Sequence, residues 1–276
     1  MRPLPMSLGV PLLSLLLPLL LLAPTGCAHT RTPAEEAAAL RKAMARQAVA
    51  QARWSTALEV LGELYRSSPQ DAEVLALRGV VLREQGLLRE AEAELLEAVR
   101  LSPRYAWAHA QLAVLLDLEE KPDEALAHHE RAVALEPDNP GWLNNRAFSR
   151  FAREQTAEAI ADYRQAVRLA PGDARIRNNL GFALARSGDF RGAAEQFQHA
   201  GSSAQARINL GLAYELAGNL ARAFDLYLEA SRLERGSTQA RSNLEHVARR
   251  LGRTVPEGAR AASADETGKE KEGREP

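Results

Sequence analysis

The chain has 276 residues and a formal charge of −1, and 46% of its residues are apolar although only 5% are aromatic. That length supports a sizeable core, and a composition rich in Ala, Leu, Arg and Glu points to helices rather than strands. The near-balanced charge lacks the basic excess expected of a nucleic-acid binder, and the single cysteine, Cys27, excludes an intrachain disulfide.

The first elements concern export. Arg2 is the only charged side chain before Arg31, and "LLSLLLPLLLLA" (12–23) forms an apolar core followed by "PTGCA" (24–28). Residues 1–27 therefore follow the grammar of a signal peptide. Cys27 resembles the acylated first residue of bacterial lipoproteins. Thr25 and Gly26 fit that pattern, whereas Pro24 stands where it prefers an aliphatic residue. The resemblance implies a lipid anchor on Cys27. Ala28 after it, not an acidic residue, implies the outer membrane, facing the periplasm. Cleavage after Ala28, or retention of the run as a membrane span, are the alternatives; Gly9, Pro11 and Pro18 weaken the second.

Residues 28–37 read as a linker and a helix start. Thr32 suits an N-cap, Pro33 the first helical position, and Glu35 closes a capping box.

From there a period of 34 residues organises the chain. Pro69, Pro103, Pro137 and Pro171 are spaced by it. So are small residues at Gly79, Ala113, Ala147 and Gly181, alanines at 57, 91, 125, 159 and 193, and bulky residues at Leu61, Leu95, His129, Tyr163 and Phe197. Ala98, Ala132, Ala166 and Ala200 form a further column, with Leu64 in its place in the first unit. Repeats with this period are supersecondary units that bury their apolar faces only by stacking.

The pattern resembles the tetratricopeptide repeat, over about residues 38–251. The resemblance implies an all-α fold, a right-handed superhelical α-solenoid of about six helix-turn-helix units with a capping helix. The units fall at 38–71, 72–105, 106–139, 140–173, 174–203 and 204–237, and the cap at 238–251. Small columns mark close helix crossings, and each Pro blocks continuation of a helix. Gly181 to Gly211 is only 30 residues. The loss falls in "HAGSSAQAR", so the second helix of the fifth unit should be about a turn short. Residues 252–276, of mixed charge, read as a disordered tail.

The candidate site is a column of asparagines, Asn145, Asn179, Asn209 and Asn243, on the first helices. The family resemblance places that side on the concave surface. An amide offers both an acceptor and donors, matching a peptide backbone; the alternative is that Asn is simply habitual there in the family. Beside it run Val80, Val114, Phe148, Phe182 and Leu212, with Trp107 and Phe151 near the same face. They are candidates to hold apolar side chains of a bound segment, or else inter-repeat core. Asn178 has no role in this reading.

No Walker loop, GxSxG, HExxH or paired cysteines occur. His109 and His129 fall in core columns, and adjacent His128 and His129 point apart, so no metal, cofactor, nucleic acid or enzyme activity is expected. Chaperone adaptors of the family clamp a terminal carboxylate with Lys and Arg, but Asn and apolar residues hold those columns here. The resemblance implies a protein-binding scaffold in the bacterial envelope, similar to type IV pilotins and tight-adherence pilus lipoproteins, whose partners include secretins. An adaptor for cell-wall hydrolases or synthases, and a membrane-anchored regulatory module of an enzyme, are the alternatives.

Overall fold

The computed structural model describes residues 32–259. Cys27, the export segment and residues 260–276 lie outside the described residues. Thirteen α-helices follow one another, with no strand among the described residues. The first helices of the units are α1 (Pro33–Ala50), α3 (Ala72–Glu84), α5 (Ala106–Leu118), α7 (Pro140–Ala152), α9 (Ala174–Arg186) and α11 (Ser203–Leu216). Their partners are α2 (Trp54–Ser67), α4 (Leu88–Leu101), α6 (Pro122–Leu135), α8 (Thr156–Leu169), α10 (Phe190–Ala200) and α12 (Leu220–Leu233), and α13 (Thr238–Leu251) closes the stack. Each helix packs on its sequence neighbours, and each first helix also touches the first helix of the next unit. The expected solenoid is what forms.

Local chemistry sets the boundaries. The expected capping box is present, with Glu35 N–H donating to Thr32 Oγ1 at 3.2 Å and Thr32 N–H to Glu35 Oε2 at 2.8 Å. Asp71, Asn139, Asp173, Ser202 and Ser237 cap α3, α7, α9, α11 and α13 through their side chains, satisfying helix N–H groups that otherwise lack partners. Before each periodic proline, Ser68, Ser102, Glu136 and Ala170 leave the helical region, with ψ between 72° and 81°. The ring of a following proline favours that change. Glu234 ends α12 at ψ 85° without any proline behind it. The stacked geometry therefore imposes the same exit, and proline reinforces it.

The small and bulky columns interlock. Gly79 lies against Leu95, Gly181 against Phe197 and Gly211 against Tyr227; a Cβ on them would stand 2.6, 2.5 and 2.7 Å from those side chains. Leu95, His129, Tyr163, Phe197 and Tyr227 are all buried. Gly181 is thus where the fifth unit's aromatic ring fits, and the close approach offsets its poor helix propensity.

The fifth unit is shortened as expected. α10 has 11 residues where the other second helices have 14. Gly201 and Ser202 alone then lead into α11, which gains a residue at its start. The far end departs from the expectation of a tail beginning at 252. Gly252 caps α13 in the left-handed region, Val255 packs on the core, and the 3-10 turn Glu257–Ala259 lies against α12 with Ala259 buried.

Candidate functional site

Along each first helix, residues spaced four, three and four apart share one face. Those rows are Glu73, Leu77, Val80 and Glu84 on α3; Trp107, Gln111, Val114 and Leu118 on α5; and Gly141, Asn145, Phe148 and Ala152 on α7. They continue as Arg175, Asn179, Phe182 and Arg186 on α9; Gln205, Asn209, Leu212 and Leu216 on α11; and Gln239, Asn243, His246 and Arg250 on α13. Because the first helices touch in series, these rows form one continuous wall.

The four asparagines are not equivalent. Asn179 donates its amide to Asn144 Oδ1 of the preceding unit at 2.9 Å, and Asn209 donates to Asn178 Oδ1 at 2.9 Å. Asn178 thus has the role that the sequence left open, as the acceptor of an inter-repeat bond. Asn209 also accepts from Gln205 Nε2 at 2.9 Å. Asn145 accepts from Asn144 at 3.3 Å, and Ala110 stands where an acceptor would be needed one unit back. Asn243 reaches the Tyr227 hydroxyl, which donates to Glu215 at 3.0 Å. The column therefore spends much of its hydrogen-bonding capacity on holding units together. Asn179 Oδ1 and Asn145 Nδ2 keep no protein partner among the described residues.

The apolar stripe divides into core and surface. Val80 is buried, Val114 is half-buried, and Phe182 packs edge-on against Phe197 at a centroid distance of 4.9 Å. Phe148, Leu212 and Leu216 are exposed, at 56%, 37% and 76%. Burying such side chains against a ligand would contribute about 25 cal/mol per Å². An open groove of about 490 Å³ runs between α7, α9 and α11, walled by Phe151, Phe182 and Leu216, floored by Ala185, Ala213 and Ala217, with Arg186 at its rim. A second, of about 480 Å³, lies between α1, α3 and α5, where Trp54, Tyr105 and Trp107 gather with Val80, Arg46 and Arg83. Tyr105 and Trp107 stack at 6.0 Å. Burial and the nearby Glu73 push the Tyr105 hydroxyl up to about 12, so it stays protonated. The sequence reading placed Trp107 on the face but not Trp54 and Tyr105, which come from a helix start and an inter-helix turn.

Two polar clusters sit behind the wall. Asp162 on α8 is buried and accepts from Arg146 at 2.7 and 2.8 Å and from Arg150 at 2.8 Å. Asp117 accepts from buried Ser149 at 3.1 Å and meets His129 Nε2 at 2.9 Å. This Ser, Asp and His set lacks nucleophile geometry, because the hydroxyl bonds to the carboxylate rather than to the imidazole. His109 and His129 are buried, at 6% and 1%, as their columns imply. No group of three or more potential metal ligands occurs among the described residues.

Comparisons with known proteins agree with this architecture. Family models described as "TPR repeat" and "Tetratricopeptide repeat" match residues 149–188, and 42–106 with 178–240, more than half of the chain together. No curated protein matches the sequence. Among solved structures, PilW, titled a widely conserved type IV pilus biogenesis factor, superposes with a TM-score of 0.64 at 14% identity, over 76% of this chain and 99% of that one. PilF of Pseudomonas aeruginosa gives 0.61 at 16%, over 76% and 98%. YrrB, titled a TPR protein with an unusual peptide-binding site, gives 0.53 at 22%, over 65% and 95%. At these identities the likeness is one of fold. With its 34-residue columns, paired helices and matching family models, the chain belongs to the tetratricopeptide-repeat family.

Proposed function

We propose that the chain is a non-enzymatic scaffold, lipid-anchored through Cys27 in the outer membrane and facing the periplasm, that holds peptide segments of envelope proteins along its first-helix wall. The groove between α7, α9 and α11 carries this reading. Exposed Leu216 lines it, exposed Phe148 and Leu212 stand one turn earlier on α7 and α11, and the free amide positions of Asn145 and Asn179 fall in the same wall rows of α7 and α9. Exposed apolar side chains gathered near a groove of this kind commonly mark an interaction site. Hydrogen bonds worth about 1 kcal/mol each and one apolar groove suit a modest affinity, and a shared membrane would raise the effective concentration. The fold likeness to PilW and PilF favours assembly of an envelope machine, pilus or secretin biogenesis, as the setting.

The test is crosslinking in cells with the full chain and with a Phe148→Glu/Leu216→Glu variant. Both side chains are exposed, so the variant should fold. Recovery of an envelope partner by the first and its loss from the second is expected. Equal recovery by both would remove the groove from the reading. A secretin subunit among the recovered proteins supports pilus biogenesis, whereas a cell-wall hydrolase or synthase would replace that setting.

A further inference from the structure

The charge on the solenoid is unevenly distributed. Residues 33–139 carry 12 Lys and Arg against 19 Asp and Glu, whereas residues 140–251 carry 16 Arg against 11 Asp and Glu. Within the second half the excess is confined to one layer. α7, α9, α11 and α13 hold nine arginines and two glutamates, while α8, α10 and α12 are each balanced. α9 alone has Arg175, Arg177 and Arg186 and no acidic residue.

Several of these arginines are occupied. Arg146 and Arg150 are held by buried Asp162, and Arg177 donates to Pro171 O and Gln196. Three others stand on the wall itself, in the rows that flank the apolar groove: Arg175, Arg186 and Arg250, whose side chains are 61%, 39% and 48% exposed although each has a partner. Arg175 meets its own helix cap, Asp173, at 3.7 Å. Arg186 lies over the Phe151 ring, donates to Phe151 O at 3.1 Å and pairs with Glu154 at 3.0 Å, and Glu154 is 83% exposed. An exposed pair of this kind contributes little, so a ligand carboxylate can take the place of Glu154 at small cost. Arg250 and His246 share Glu215 with the Tyr227 hydroxyl.

We infer that the groove between α7, α9 and α11 takes a segment in which acidic side chains flank a bulky apolar one. The apolar residue enters between Phe151, Phe182 and Leu216, and the carboxylates lie over Arg175, Arg186 and Arg250. The inference rests on the peptide-binding reading above and adds the chemistry of the segment. A polybasic segment is disfavoured over this half by the same charges.

The test uses two fluorescein-labelled twelve-residue peptides, acetylated and amidated at their ends so that no terminal carboxylate is present. Both carry the same Leu and Phe residues; one has Glu at the flanking positions and the other Gln. Fluorescence polarisation with the full chain at low salt is expected to show tighter binding of the Glu peptide, about tenfold, with most of the difference lost as salt rises and screens the charges. An Arg175→Gln/Arg186→Gln/Arg250→Gln variant should bind the two peptides alike. Arg175→Gln alone, at an exposed side chain, should give a smaller shift in the same direction and guards against a folding defect in the triple variant. Equal binding of both peptides to the unaltered chain would overturn the acidic preference, while leaving the peptide groove intact if Leu216→Glu abolishes both. Binding of neither peptide would overturn the proposed segment class, whatever the crosslinking experiment recovers.

Discussion

The Asn179 side chain donates to the Asn144 side-chain oxygen of the preceding unit at 2.9 Å, across a junction where Asn144 is 3% exposed. The bond recurs one unit later between Asn209 and Asn178. Asn179→Ala leaves the Asn144 oxygen buried without its donor, a loss of about 1–3 kcal/mol. Urea unfolding of Asn144→Leu, Asn179→Leu and the double variant should show coupling between the sites, because removing both partners orphans neither. Strict additivity would mean that the bond does not join the units.

Glycines at two helix positions should respond in opposite directions. A Cβ at Gly181 meets three atoms of the Phe197 ring between 2.5 and 2.9 Å. Gly181→Ala should therefore cost about 1–3 kcal/mol by overpacking, despite alanine's better helix propensity. Gly62 inside α2 has nothing within 4 Å of its Cβ position, and Gly62→Ala should stabilise by about 0.4–1 kcal/mol. Thermal unfolding of the two variants makes the comparison, and a gain at Gly181 would contradict the close approach.

The turn inside each unit places one residue at positive φ, and three units use a side-chain residue there: Ala52, Glu120 and Glu154 at 53°, 58° and 64°. Gly86, Gly188 and Gly218 fill the same position in the others. A non-glycine residue in this region costs about 1 kcal/mol. Glu120→Gly should accordingly raise the unfolding midpoint, against the usual direction for added glycine, since Glu120 carries no ion pair among the described residues, where Lys121 pairs with Glu119 and Glu92 instead. Unchanged or lowered stability in a denaturant titration would show that the turn is not strained.

The periodic columns that made the fold legible are those where size alone decides. A proline after the first four second helices, a small residue opposite a bulky one, and the four-residue loss near Gly201 all act through sterics, which a 34-residue spacing exposes directly. The site was less legible. Asn145, Asn179, Asn209 and Asn243 share a column, but what each amide does depends on the residue 35 or 31 positions earlier. Asn144 and Asn178 accept there, whereas Ala110 cannot. Trp54 and Tyr105 fall outside the wall's helical spacing; Tyr105 is two residues from Trp107 in the chain, and only stacking of the units brings Trp54 to the pair. The charge contrast between the two halves was countable in the sequence, but it acquires a location only once first and second helices separate into layers.

A pH response should arise behind the wall. His109 Nε2 lies 3.2 Å from Pro103 O in the turn before α5, so that nitrogen carries the proton, and His109 Nδ1 is left to accept from His128 Nδ1 at 3.0 Å. Protonating His109 would set two donors against each other. Burial is the first cause favouring the neutral form of both rings; at His109 the Pro103 carbonyl works against it and Arg131 on α6 adds to it, and at His128 the neighbouring His109 and His129 add to it. Asp117 directs its carboxylate to His129 and Ser149. Both imidazoles are therefore held below the ordinary value of 6.5. As pH falls from that value, the unfolded chain binds protons before the folded one does, so stability declines until the folded pair titrates and then stops declining on its account. Denaturant midpoints measured from about pH 7 to about pH 5 should fall for the unaltered chain and fall less for His109→Phe/His128→Leu. The carboxylates titrate mostly below this window. Parallel curves for the two proteins would show that the facing nitrogens do not control the acid response.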